Sequence, residues 1–247
     1  MQKNTVLFVI AALLAGFIAG FLFANKVNRS ETRATQSPVP SAPAANSSPS
    51  QNADSETLSE AEIDAKIAEA DKNAGNFTFQ KSLGIGLYRY GSMKQEPKIV
   101  EASARILTRA NSLDPKDYDV IVALGNAQFD MGFFKKDAAS FQQARTTYGK
   151  ALEMKPADLD VQTDLALTYF LQEPPDNAKA AATLEKIQAT DPKHSRSLQF
   201  LVQTYIRLGK IDDAEKSLAK LKQLEPSNAQ LGDLTGQVET AKGVSKK

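Results

Sequence analysis

The stretch from Ser195 to Asn228, SRSLQFLVQTYIRLGKIDDAEKSLAKLKQLEPSN, carries two marks that recur down the second half of the chain: Leu201-Val202 and Pro226. The same marks stand upstream at Leu83-Gly84 with Pro115, Leu124-Gly125 with Pro156, and Leu165-Ala166 with Pro192. The leucines advance by 41, 41 and 36 residues and the prolines by 41, 36 and 34. A period of this size signals repeated units of secondary structure, each burying its apolar columns on its neighbours.

Counting back from each proline gives three further columns. A small residue stands at Ser103, Ala144, Ala180 and Ala214, a bulky one at Leu107, Tyr148, Leu184 and Leu218, and a third apolar one at Ala110, Ala151, Ile187 and Leu221. Small residues on two antiparallel helices let their backbones approach closely. The proline ends the second helix, because it has no N–H to donate and its ring clashes with the preceding turn.

Over residues 77 to 228 these columns resemble the tetratricopeptide repeat family, in units 77–117, 118–158, 159–194 and 195–228. The last unit fits without a gap, and the third has two extra residues near Pro174-Pro175. The first two carry seven each, around Gly91 to Glu96 and Phe133 to Asp137, and these are read as loop insertions. The family's frequent Trp is missing, and Gln128 stands in the column held elsewhere by Leu87, Tyr169 and Tyr205. The resemblance implies an all-α fold, an α-α superhelix of about four helix pairs that holds other proteins. Helices at 58–76 and 229–247 are expected to cap its ends. Ser59 with Glu62 makes a capping box before Ile63, Ile67 and Ala70, while Leu231, Leu234 and Val238 give the tail an apolar side.

In that family the first helix of each unit lines a concave face. The corresponding residues here are Lys81, Ile85, Tyr88 and Arg89, then Asp119, Val122, Asn126, Phe129 and Asp130, then Asp160, Thr163, Leu167 and Phe170, then Arg196, Gln199, Gln203 and Arg207. The row is basic at both ends and acidic and aromatic in the middle. That pattern predicts a partner segment carrying Lys or Arg beside apolar anchors, with Phe129 and Phe170 supplying affinity and the aspartates orientation. The family's carboxylate clamp for chaperone C-termini is not reproduced. Lys81 matches it, but Ile85, Ala123, Asp160 and Asp164 do not, and the aspartates would repel a carboxylate.

Ahead of the repeats lie a tail at 1–4, an apolar run at 5–24 and a Ser/Pro/Ala-rich linker at 25–57. About twenty uncharged residues at roughly 1.5 Å each match a hydrocarbon core of about 30 Å, so the run reads as a single-pass transmembrane helix. A cleaved signal peptide would want a small residue where Leu22 stands. Ala12, Gly16, Gly20 and Ala24 form a small-residue ridge suited to a homodimer through this helix. Lys26, Arg29 and Arg33 lean toward a cytoplasmic repeat domain. The spacer is typical of proteins projecting outward from a bacterial inner membrane, and the extracytoplasmic side is the expectation adopted.

The rest of the chemistry is sparse. With 30 basic and 29 acidic residues the net charge is +1, so no concentrated basic face recommends nucleic acid as a partner. There is no cysteine, hence neither a disulfide framework nor a thiol nucleophile. His194, the single histidine, is expected to be a solvated loop residue. Gly84-Ile85-Gly86 reads as close helix packing rather than a phosphate loop, and Asp212-Asp213 as the start of a helix. No cofactor, metal or catalytic role is assigned. The expected function is a membrane-tethered scaffold or adaptor in an envelope complex, with a cytochrome-maturation type chaperone as alternative and a carboxylate hydrolase as a distant third.

Overall fold

The computed structural model describes residues 59–245. The apolar run at 5–24 with its Ala12, Gly16, Gly20 and Ala24 ridge, and the linker at 25–57, lie outside the described residues. Among the described residues, no helix is long and apolar enough to cross a membrane.

Those residues form ten α-helices: α1 Glu60–Lys72, α2 Phe77–Lys94, α3 Pro97–Leu113, α4 Tyr118–Lys135, α5 Ala138–Met154, α6 Leu159–Leu171, α7 Asn177–Thr190, α8 Ser195–Arg207, α9 Ile211–Leu224 and α10 Leu231–Ser245. Contacts divide the chain between Ala74 and Gly75, leaving α1 in the first unit and α2 to α10 in the second. The start of α1 carries the expected capping box. The Glu62 carboxylate accepts from the Ser59 N–H at 2.8 Å, and the Ser59 hydroxyl accepts from the Glu62 N–H at 3.3 Å.

From α2 onward the helices pair as antiparallel hairpins, α2 with α3, α4 with α5, α6 with α7 and α8 with α9. Each second helix also packs on the next first helix. First helices touch their successors, α2 with α4, α4 with α6 and α6 with α8, whereas second helices make no comparable contact among the described residues. Neighbours that approach more closely on one side of a stack lie on the inside of its curve, so the first helices form the inner row. The tail helix α10 takes the next place in that row, against α8 and α9. There Leu234 and Val238 join Leu198, Val202, Leu218 and Leu221 in one apolar cluster.

Every member of the three second-helix columns is buried, from Ser103 and Leu107 in the first unit to Leu218 and Leu221 in the last. In the Leu-small pairs it is the small residue that is buried throughout, at Gly84, Gly125, Ala166 and Val202. Leu83 and Leu165 are only half-buried. The proline column works through the residue before it. Asp114, Lys155, Asp191 and Glu225 end their helices with φ of −136°, −134°, −132° and −135°, the extended conformation that a following proline ring imposes. Each donates its N–H to the carbonyl of the third apolar column, at Ala110, Ala151, Ile187 and Leu221.

One expectation is corrected. The extra residues of the first two units are not loops; they lengthen helices. The helices α2 and α4 have 18 residues against 13 in α6 and α8, and α3 and α5 have 17 against 14 in α7 and α9. The hairpin tips remain tight because Gln95 and Lys136 turn left-handed, with φ of 56° and 52°. The next N–H then returns to the Gly91 and Gly132 carbonyls at 2.8 and 3.0 Å. The lengthened part is held by a second glycine two turns after the first. A Cβ on Gly84 would come within 2.9 Å of Leu107 and one on Gly125 within 2.7 Å of Tyr148, while on Gly91 and Gly132 it would meet Ile99 at 3.0 Å and Phe141 at 2.9 Å. In the third unit the two extra residues near Pro174-Pro175 do lie between helices, in the segment Gln172 to Asp176.

A contrast between glycines tests this packing. Gly125→Ala drives a methyl into the rigid, fully buried Tyr148 ring and should destabilise by about 1 to 3 kcal/mol. Gly86 has nothing within 4 Å of its absent Cβ, so Gly86→Ala should stabilise by about 0.5 to 1 kcal/mol through helix propensity. Urea denaturation of the two variants beside the parent protein measures both, and equal effects would refute the close approach at Gly125.

Candidate protein-binding surface

The inner row starts from the helix N-caps. The residue two after each of the first three prolines is Asp117, Asp158 or His194, and each caps the next first helix. Their side chains accept the N–H of Val120 at 2.9 Å, Val161 at 3.0 Å and Ser197 at 3.2 Å. Each cap, or a residue beside it, also binds the start of an adjacent first helix or the turn that leads into it. Lys81 binds Asp117 at 2.6 Å and approaches Asp119 at 3.6 Å. The Tyr118 hydroxyl donates to Asp158 at 2.6 Å, with Lys155 lying 3.7 Å over the Tyr118 ring. His194 Nε2 lies 3.6 Å from Asp160, and the Ser195 hydroxyl donates to Glu225 at 2.5 Å. Each unit therefore meets the next at the point where the next first helix begins.

The predicted groove residues fall into two groups. Arg89 is exposed, and the Asp119 side chain is 59% exposed beside Lys81. Most of the others bind their own fold. Asn126 accepts from the fully buried Tyr148 hydroxyl at 2.8 Å, Asp130 accepts from the Ser92 hydroxyl at 2.7 Å, and Tyr88 joins the apolar cluster of the first two units. Arg196 is paired with Asp164, donates to the Asp160 carbonyl at 3.2 Å and sits 3.7 Å from the Asp160 carboxylate. Arg207 lies 3.6 Å over the Phe170 ring and donates to the Phe170 carbonyl at 2.7 Å. Burial pushes its guanidinium down to about 10, which still leaves it charged at neutral pH.

The anchors expected at Phe129 and Phe170 are corrected accordingly. Phe129 packs edge-on against Phe141 of α5 at 5.6 Å and Phe170 lies under Arg207; at 1% and 0% exposure neither offers a ring to a partner in this state. Gln203 is likewise buried, with no hydrogen bond to its side-chain oxygen. The alternation of charge along the row, read as complementarity to a partner, is used between neighbouring units. Lys81 on α2 meets Asp117, the N-cap of α4, and Arg196 on α8 meets Asp160 on α6, both pairs being 36 residues apart.

Several of these roles were missed from the sequence. His194 is not a solvated loop residue: its side chain is 16% exposed and caps α8. Asp117 and Asp158 were overlooked, although the column two after each proline holds a preferred capping type in three of four places, including Asn228, which accepts from Gln230 N–H at 2.9 Å. The departure at Gln128 is compensated by the Thr147 hydroxyl, which donates to it at 2.7 Å. Asp212 and Asp213 do open a helix, α9. Among the described residues, no group of three His, Cys, Asp or Glu could hold a metal ion.

The joint between the first two units titrates at both ends. Burial opposes the charge on Lys81 and on Asp117. Their mutual hydrogen bond overcomes it, raising Lys81 above its ordinary 10.5 and lowering Asp117 below its ordinary 3.8. The depressed carboxylate stabilises the fold above about pH 4 and loses this as pH falls through its folded value; the raised lysine stabilises below about pH 10.5 and loses it above. Asp117→Ala should cost about 1 to 2 kcal/mol at neutral pH, because it removes both the cap of α4 and the partner of Lys81. Urea unfolding as a function of pH should show that difference closing in strong acid, where the parent carboxylate is protonated.

The tetratricopeptide repeat family matches residues 175–238. The chain is similar in fold to a thermophilic tetratricopeptide repeat protein from Thermus thermophilus, at 17% identity over 74% of this chain and 89% of that one, with a TM-score of 0.52. It is also similar to the crystal structure of MamA protein, at 15% identity over 66% of this chain and 83% of that one, with a TM-score of 0.51. No curated protein shows a significant sequence match. The family match and the shared fold together support the tetratricopeptide repeat assignment, and the all-α stack of helix pairs fits it.

Proposed function

We propose that this protein is a non-enzymatic scaffold that holds partner proteins along the inner row of α2, α4, α6 and α8, tethered to a bacterial inner membrane through residues 5–24. The observation that carries the binding role is the row itself, four first helices in mutual contact on the inside of the stack. The tether rests on the length of the apolar run, and the extracytoplasmic placement on the Ser/Pro/Ala-rich spacer at 25–57. The small-residue ridge at Ala12, Gly16, Gly20 and Ala24 supports a homodimer through the same segment.

Partner contact is now expected at exposed positions such as Arg89 rather than at the buried rings. Purification of the tagged full chain from membranes should recover a stable multiprotein complex; recovery of apocytochromes would instead favour the chaperone reading, and turnover by the purified protein an enzyme. With the recovered partner, Arg89→Glu should change the association rate and its salt dependence while shifting stability by no more than about 0.5 kcal/mol. The protein should also resist carbonate extraction with its amino terminus intact. A mature start near Asn25 would overturn the tether, and activity of a cytoplasm-only reporter fused after Lys247 would reverse the orientation.

A further inference from the structure

His194 stands in a column otherwise filled by Asn76, Asp117 and Asp158, each the N-cap of a first helix. It is the member whose type ordinarily changes charge between about pH 5 and 8. Its two ring nitrogens face different helices. Nδ1 accepts the Ser197 N–H at 3.2 Å, so in this geometry it carries no proton, and Nε2 lies 3.6 Å from the Asp160 carboxylate on α6. The backbone around it is clamped from α7, where Gln188 donates to the His194 carbonyl at 2.8 Å and to the Ser197 hydroxyl at 2.7 Å.

We infer that His194 is a proton-operated joint between the third and fourth units: neutral, it caps α8, and protonated, it gives up the cap and pairs with Asp160. The bound proton occupies the Nδ1 lone pair, so the Ser197 N–H loses its acceptor, and a cation then stands at a helix N-terminus where the dipole disfavours it. The same proton makes the contact with Asp160 an ion pair. One contact is exchanged for another, so the effect falls on the first turn of α8 rather than on the stability of the whole stack. The other charged groups around the ring are Arg196 on α8, which already engages Asp160 and Asp164, and Lys193 and Asp191 in the loop before it. From α9 and its C-cap come Lys220, bound to Gln188, and Glu225, bound to Ser195. Arg196 lies inside the turn that loosens, so the device also moves an inner-row cation. The inference stands independently of which partner the inner row holds.

Amide hydrogen exchange on the full-length protein reads the device directly, after correction for the intrinsic pH dependence of exchange. Protection of Ser197 should fall about tenfold between about pH 7.5 and 5.5, the scale of one lost cap, while the interior of α5 stays constant. His194→Asn keeps an acceptor that does not titrate and should abolish the fall. Asp160→Asn removes the anion that favours the protonated ring and should move the fall to lower pH; an unmoved fall overturns the pairing with Asp160. A pH-independent Ser197 in the parent, or the same fall in His194→Asn, overturns the inference. Should His194→Asn not fold, NMR of the parent decides: the Ser197 amide shift must follow the imidazole titration, and an amide shift indifferent to that titration overturns the inference equally.

Discussion

The stack depends on a steric constraint imposed by four prolines. The ring of Pro115, Pro156, Pro192 or Pro226 denies helical geometry to the residue before it, and that residue adopts nearly the same extended φ each time. The chain is thereby turned at a fixed point, and three residues after each C-cap the next N-cap or its equivalent is in place. Its N–H returns to the C-cap carbonyl, at 3.4 Å for Asp117, 3.2 Å for Asp158, 3.1 Å for His194 and 3.0 Å for Asn228. Where a first helix begins is thus decided before any side chain of that helix packs.

Charge follows from this geometry. First helices launched at the same point from equivalent turns run side by side, so a residue on one can meet the next helix about one period later. Arg196 reaches its counterpart Asp160 in this way, and Lys81 reaches Asp117, the cap that opens the next first helix. A half-exposed ion pair contributes little by itself. Here, however, the Asp117 carboxylate also caps α4, so one group both begins a helix and joins two units.

The architecture was legible because its causes are local and periodic. Proline, the small residue on each helix and the bulky column opposite them recur in the chain itself, and all the second-helix columns proved buried. The inner row was less legible, because register names the residues on a face without saying what they touch. Phe129 and Phe170 look the same in sequence whether a partner or Phe141 and Arg207 cover them. The added residues near Gly91 and Phe133 looked like loops because a hairpin that grows at its tip adds one turn to each helix and leaves every column before and after it unchanged. The glycine pairs Gly84/Gly91 and Gly125/Gly132, two turns apart, were the available sign of longer helices.

Unequal hairpins on identical joints have a consequence for how such a chain can change over time. The position of each unit is set at the base, by proline, cap and inter-unit bond, whereas length is added at the opposite end, beyond Gly91 and Gly132. Growth at the tips leaves the joints unchanged: a unit can acquire or lose a turn without disturbing the register of the array, provided a small residue keeps the new turn in contact. Variation is confined by mechanics to one edge of the array, and the joints are the part that must be inherited intact.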